Sequence, residues 1–281
     1  MKKIKIVTDS TCDLPEEMVK DTSLEIVPLK VLFGDDEYLD RFEIGSLDFF
    51  EMLEKRDDFP QTAQPAVGTF TQLYEELGKE ADSIISIHLS SKLSGTYEAA
   101  SMAAEMVEDV KVTVIDSQLA SFALGFCVMR GLDVAERTGD HDQVLEAIHS
   151  FMDSVRVFFT VDTLEYLQKG GRIGKAQAIL GSILNVKPIL KLEEGEVRPL
   201  DKVRGRKKLF ARQVELVDEY RHEGLDEYKV AIAHGNSLGE AQKLAREIEK
   251  EYGVERPLIS EIGPVIGTHT GPGIMGIFVY Q

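Results

Sequence analysis

Hydroxyl groups gathered where an apolar run ends are the first residues in this chain whose types and spacing could do chemistry. In SIISIHLSSKLSGTYEAASMAAEMV, residues 83–107, Ser90, Ser91, Ser94 and Thr96 lie between an aliphatic stretch and an alanine-rich one. Ile84 to Leu89 has the length and content of a buried strand, and Glu98 to Val107 has the propensity of a helix. At such a strand end and helix start, hydroxyls and free backbone N–H groups can converge on one oxygen-rich ligand. Gly95 permits close backbone approach. The plainer alternative is ordinary N-capping by Ser94.

Other chemically capable residues are scattered. Thr62 and Gln64 sit in DDFPQTAQPAVG, a proline-punctuated loop at 57–68. His269 lies between two threonines in GPVIGTHTGPGIMGIFVYQ, a glycine-rich loop followed by a hydrophobic strand. Spacing in sequence does not decide proximity in space, so Ser94 and His269 could form a nucleophile and base, as in a serine hydrolase or acyltransferase. His269 could equally donate a hydrogen bond or sit in an interface. Gly170, Gly171, Gly174 and Lys175 hint at a phosphate loop, yet Ala176 stands where that motif requires Ser or Thr. KVRGRKKLFAR is the one strongly basic run, either a solvated helix start or a dock for an acidic partner or phosphate groups. Together these leave a sugar-phosphate or nucleotide binder as a third reading. HExxH, paired CxxC and EF-hand spacings are absent, so no metal or other cofactor is expected.

The elements that must position these residues alternate. Lys3 to Thr8 is a compact strand ending in DSTCDLP, where Asp13 or Ser10 can cap and Pro15 suits a first helical turn. Leu24 to Phe33 reads as a strand turning at Gly34 into Tyr38 to Arg41, and Ser46 as the cap of a helix through Lys55. Val110 to Ile115 is a further strand, and Asp116-Ser117 ends it as Asp9-Ser10 ends the first, which suggests two polar rims on one edge. Helices follow from about Ser121 and from Asp142. This alternation predicts an α/β fold with a mostly parallel sheet in an N-terminal lobe, residues 1–155. The mixed α/β C-terminal lobe, 156–281, carries a short helix DTLEYLQK, then GGRIG and a small-residue helix through Leu184. It continues with a hairpin around EEGE, and then strands on either side of the helix Leu238 to Tyr252.

Bulk composition bounds the partners. With 281 residues, 43% of them hydrophobic, the chain can bury a real core. A formal charge of −17 repels nucleic acid and anionic membrane, so an anionic ligand would need local donors. Cys12 and Cys127 fall in different elements, the N-terminus lacks a signal-length apolar segment, and Phe122 to Met129 is too short to span a bilayer. A cytoplasmic protein is expected.

Seven segments, in order along nearly the whole chain, resemble the DegV family of bacterial fatty-acid-binding proteins, which includes the binding subunits of the fatty acid kinase system. They are VTDSTCDLP (7–15), TAQPAVGTF (62–70), SSKLSGTY (90–97), IDSQ (115–118), LEYLQKGGRIG (164–174), KPIL (187–190) and GPVIGTHTGPG (263–273). The resemblance implies a two-lobed α/β protein holding one long-chain fatty acid such as palmitate between its lobes. It puts the carboxylate on Thr62 and Ser94, with His269 as a third contact, and leaves catalysis to a separate ATP-using kinase subunit that makes acyl phosphate. Arg172 and Arg204 match positions expected to meet that subunit. One departure is that the usual TSQPS reads TAQPA here, with Ala63 and Ala66 replacing serines.

Overall fold

The computed structural model describes residues 3–182, 186–221 and 228–281. The chain opens with β1 (Ile4–Asp9), α1 (Glu16–Val19), β2 (Glu25–Val27), β3 (Lys30–Phe33) and β4 (Asp36–Leu39). It continues through α2 (Ser46–Lys55), β5 (Gln61–Ala63), α3 (Val67–Gly78), β6 (Ser83–His88) and α4 (Thr96–Met106). Then come β7 (Lys111–Asp116), α5 (Phe122–Thr138), α6 (His141–Ser154), β8 (Arg156–Thr160) and α7 (Glu165–Lys169). A 3₁₀ stretch, Gly174–Ser182, precedes β9 (Lys187–Glu193), β10 (Glu196–Val203) and α8 (Arg206–Arg221). The chain ends with β11 (Lys229–His234), α9 (Leu238–Tyr252), β12 (Leu258–Glu261), α10 (Pro264–Thr270) and β13 (Met275–Tyr280).

Two compact units emerge. One comprises Met1–Ile44 and Pro60–Asp153, the other Gly45–Phe59 and Ser154–Gln281, so α2 packs with the later unit although it lies early in the chain. In the first unit a four-stranded sheet has the order β2-β1-β6-β7, every pair parallel. All four strands therefore end at one edge, where α/β proteins place ligands. β6 is buried along its whole length, its isoleucines in the core and its Ser86 and His88 paired with buried partners. Helices α3 and α4 cover it with Phe70, Tyr74, Ala99, Ala100 and Ala103. A small antiparallel sheet, β4-β3-β5, carries Thr62 opposite Val31.

The second unit holds a six-stranded sheet, β10-β9-β8-β13-β11-β12, antiparallel except for the β11–β12 pair. Its core draws on Phe158, Ile232 and Ile277 of the sheet with Leu216, Val217 and Leu244 of α8 and α9.

Several local expectations need correction. Leu24 to Phe33 is two strands in two sheets, because Pro28 sits between them and cannot donate to a ladder. The N-cap of α2 is Gly45, with Ser46 already helical. Residues 61–63 of the proline loop are a strand, and the glycine-rich segment near the C-terminus forms α10, with Pro264 at its start. The small-residue helix after GGRIG is 3₁₀ as far as Ser182, and Leu184 lies outside the described residues. Cys12 and Cys127 are free, buried thiols, which burial pushes up to about 12 in pKa.

Candidate functional site

In the first unit the chain leaves β6 at His88 and enters α4 at Thr96 through a turn held by its own backbone. Ser90 O accepts the N–H groups of Leu93 (2.9 Å) and Ser94 (3.1 Å), and Ser90 Oγ accepts from Lys92 N (3.2 Å). Ser94 is half-buried. Its Oγ accepts from Thr96 N (3.3 Å) and lies 2.9 Å from the buried Thr96 Oγ1. With the Thr96 hydroxyl donating to it, Ser94 keeps its own proton for an incoming oxygen. The N-cap of α4 is Gly95 rather than Ser94, and no side chain caps it; Ser94 Oγ takes only the N–H of Thr96, the first helical residue.

The TAQP segment reaches the same turn. A Cβ added to Gly95 would lie 2.2 Å from Gln64 Oε1, so the Gln64 amide rests directly against the Gly95 backbone. Thr62 stands two residues before that contact and Ser94 one residue before Gly95. The contact between the two segments is thus made by Gln64 and Gly95, the near sequence neighbours of the two expected head-group residues.

Behind the turn runs a fully buried polar chain that the sequence reading missed. His88 Nδ1 is 3.0 Å from Asp9 Oδ2, and its Nε2 is 2.7 Å from Ser86 Oγ, which lies 2.8 Å from Tyr74 Oη. Donation from Nδ1 to Asp9 leaves Nε2 to accept from Ser86, which in turn accepts from Tyr74. All four residues are 0% exposed, so this Ser-His-Asp set has no route to a substrate and acts as internal bracing. Asp9 also accepts from Leu89 N (3.0 Å), Thr11 N (3.1 Å) and Thr11 Oγ1 (2.5 Å), so four donors compensate its burial.

The second unit assembles His269, Gly170 and Arg172. α10 and α7 pack so tightly that a Cβ on Gly170 would fall 2.2 Å from His269 Nδ1, a nitrogen closed off from water. Burial, with the Arg172 guanidinium adding to it, pushes the imidazole pKa down to about 4. It is neutral at pH 7. Arg172 Nη1 donates to Gly170 O (2.6 Å), and burial lowers the Arg172 pKa. Gly271, at φ +76, would place a Cβ 2.3 Å from the Tyr166 ring, which explains why a glycine follows the helix there. Arg204 sits on the exposed turn between β10 and α8.

GNSLG, residues 235–239, has the GxSxG spacing of a hydrolase elbow and also escaped the sequence reading. The strained residue there is Asn236 (φ +50), while Ser237 has φ −139, donates its Oγ to Gly235 O (3.2 Å) and stands at the N-cap of α9. It is not presented as a nucleophile. Among the described residues no three His, Cys, Asp or Glu side chains gather to hold a metal ion, and no helix is long and apolar enough to cross a membrane.

Comparison with known proteins adds four findings. The family described as "Uncharacterised protein, DegV family" matches residues 3–281. Protein DegV of Bacillus subtilis (strain 168) is 38% identical over 275 residues, spanning 98% of each chain. Among solved structures, a fatty-acid-binding DegV family protein from Thermus thermophilus is similar with a TM-score of 0.94 and 36% identity over 100% of both chains. A stearic-acid-binding protein from Eubacterium ventriosum is similar at 0.91 and 28% identity, over 100% of this chain and 98% of that one.

Proposed function

This chain belongs to the DegV family, and we propose that it binds one long-chain fatty acid through its carboxyl group and offers that group to a separate ATP-using kinase subunit for conversion to acyl phosphate. Thr62 and Ser94 donate to the carboxyl oxygens, neutral His269 is a third donor, and Arg172 and Arg204 face the partner. The observation that carries this is the closure of the TAQP segment on the Ser94 turn through Gln64 and Gly95. Support also comes from the relatives described as binding fatty acids, one of them stearic acid.

The chemistry suits a lipid acid better than a compact anion. Burying a carboxylate costs heavily unless hydrogen bonds replace its water, and hydroxyls and N–H groups do so without a buried cation. The tail supplies the affinity: at ~0.8 kcal/mol per methylene, about fourteen buried methylenes offer on the order of 11 kcal/mol before association costs.

The hydrolase alternative is weaker. An imidazole with a pKa near 4 is a poor general base at neutral pH. Mass spectrometry of lipid released on denaturing the purified chain tests the assignment. One intact long-chain acid per chain is expected. An empty chain that instead cleaves activated esters, or one whose melting temperature rises with ATP or a sugar phosphate and not with fatty acid, would overturn it.

A further inference from the structure

The two Asp-Ser pairs remain to be explained. They end β1 and β7, the strands on either side of β6, and both reach across to the segment leaving β6. From β1, Asp9 Oδ2 takes the Leu89 N–H (3.0 Å) and faces His88 Nδ1. From β7, Asp116 Oδ1 takes the Ser91 N–H (3.1 Å) and Oδ2 the Ser91 hydroxyl (2.6 Å). Ser117 gives its hydroxyl (2.6 Å) and its N–H (3.1 Å) to His88 O, and Ser90 N donates to Leu119 O (2.9 Å).

Every residue from His88 to Ser91 is thus held from a neighbouring strand or the loop after β7. From Ser91 onward the turn is carried by Ser90, whose carbonyl receives the Ser94 N–H. Asp116 also accepts from Gln118 N (3.0 Å). Both carboxyl groups are therefore turned onto N–H and O–H donors, three for Asp116 and four for Asp9, which spends their lone pairs inside the protein.

We propose that Asp9 and Asp116 are positioning residues that clamp the β6–α4 turn from its two sides and so aim the Ser94 hydroxyl, making the site select an acid head group over an uncharged one. Neither touches the ligand. The proposal rests on the assignment of Ser94 as a head-group contact. Hydroxyl donors stabilise a carboxylate more than an alcohol only while correctly placed, because charge-assisted bonds are the stronger and more directional kind.

The test titrates delipidated chain with palmitate and with hexadecanol, for wild type, Asp116→Ala and Asp116→Asn. Wild type should prefer the acid. Asp116→Ala should cut that preference about tenfold while leaving alcohol affinity nearly unchanged, since one misplaced charge-assisted bond is worth about that factor. Asp116→Asn, which keeps an oxygen for the Ser91 N–H, should recover most of it. Should Asp116→Ala not fold, Ser117→Ala carries the same test, with about a threefold loss expected for the weaker hold on His88 O. Equal weakening of acid and alcohol, or an unchanged ratio, overturns the clamp. A wild-type chain that binds neither lipid overturns the fatty acid assignment itself.

Discussion

The polar constellations of the two units shelter their groups in opposite ways. In the parallel-sheet unit the proposed donors are hydroxyls and N–H groups, and the two acids behind the turn, Asp9 and Asp116, are already held by four and three donors. In the mixed-sheet unit the proposed donor is a buried imidazole kept neutral, with an arginine beside it. Parallel strands end together, so both neighbours of β6 can reach one turn. The second cluster depends on close helix packing, which Gly170 and Gly271 allow. The contrast teaches that glycine and acidic residues near an anion site can serve geometry without touching the ligand.

The sharpest way to break the contrast is Asp9→Ala. It strands four buried donors at once, so unfolding free energy should fall by about 3–5 kcal/mol in denaturant titration, with fatty acid binding lost alongside. A loss below ~1 kcal/mol would mean the buried chain is not the brace of this unit.

Next in size is a pH effect confined to the other unit. His269 titrates near 4 when folded and near 6.5 when unfolded, so the unfolded chain binds the extra proton between those values. The stability linked to this group is complete above pH 6.5 and is lost as pH falls toward 4, by on the order of 3 kcal/mol. His269→Gln should flatten that part of the unfolding profile; an unchanged slope would show that the imidazole is not shielded as described.

Gly95→Ala should have the smallest effect on stability. Gly95 has φ −77, which alanine tolerates, and the obstacle is the free end of the exposed Gln64 side chain. Stability should change by less than about 0.5 kcal/mol, while displacing the Gln64 amide lowers palmitate affinity a few-fold. A chain destabilised by several times that amount would show that Gln64 is built rigidly into the turn.

Much of the first unit was legible because its signals are local. The isoleucine-rich run of β6 beside an alanine-rich helix start, and Asp-Ser pairs at two strand ends, are written in consecutive residues. What the pairs do was not legible, since the partners of Asp9 and Asp116 lie some 80 and 25 residues away in sequence. Ser86 and His88 gave no signal, being isolated polar residues in a strand dominated by isoleucine. β5 is three residues long, too short for any periodicity, and α10 forms from poor helix formers because tertiary packing decides there: a Cβ on Gly267 would lie 2.7 Å from the Phe49 ring. Thr62 and Ser94 as a pair were reached through the family resemblance, because spacing alone left Ser94 an ordinary cap.

The most direct test of the central assignment is calorimetric titration of delipidated wild type and of the Thr62→Ala/Ser94→Ala double variant with palmitate. Each lost head-group bond is worth about 1–3 kcal/mol against a tail worth on the order of 11, so binding should weaken by roughly tenfold or more and still be measurable. Identical affinity in the two proteins would contradict the assignment of these hydroxyls to the carboxyl group.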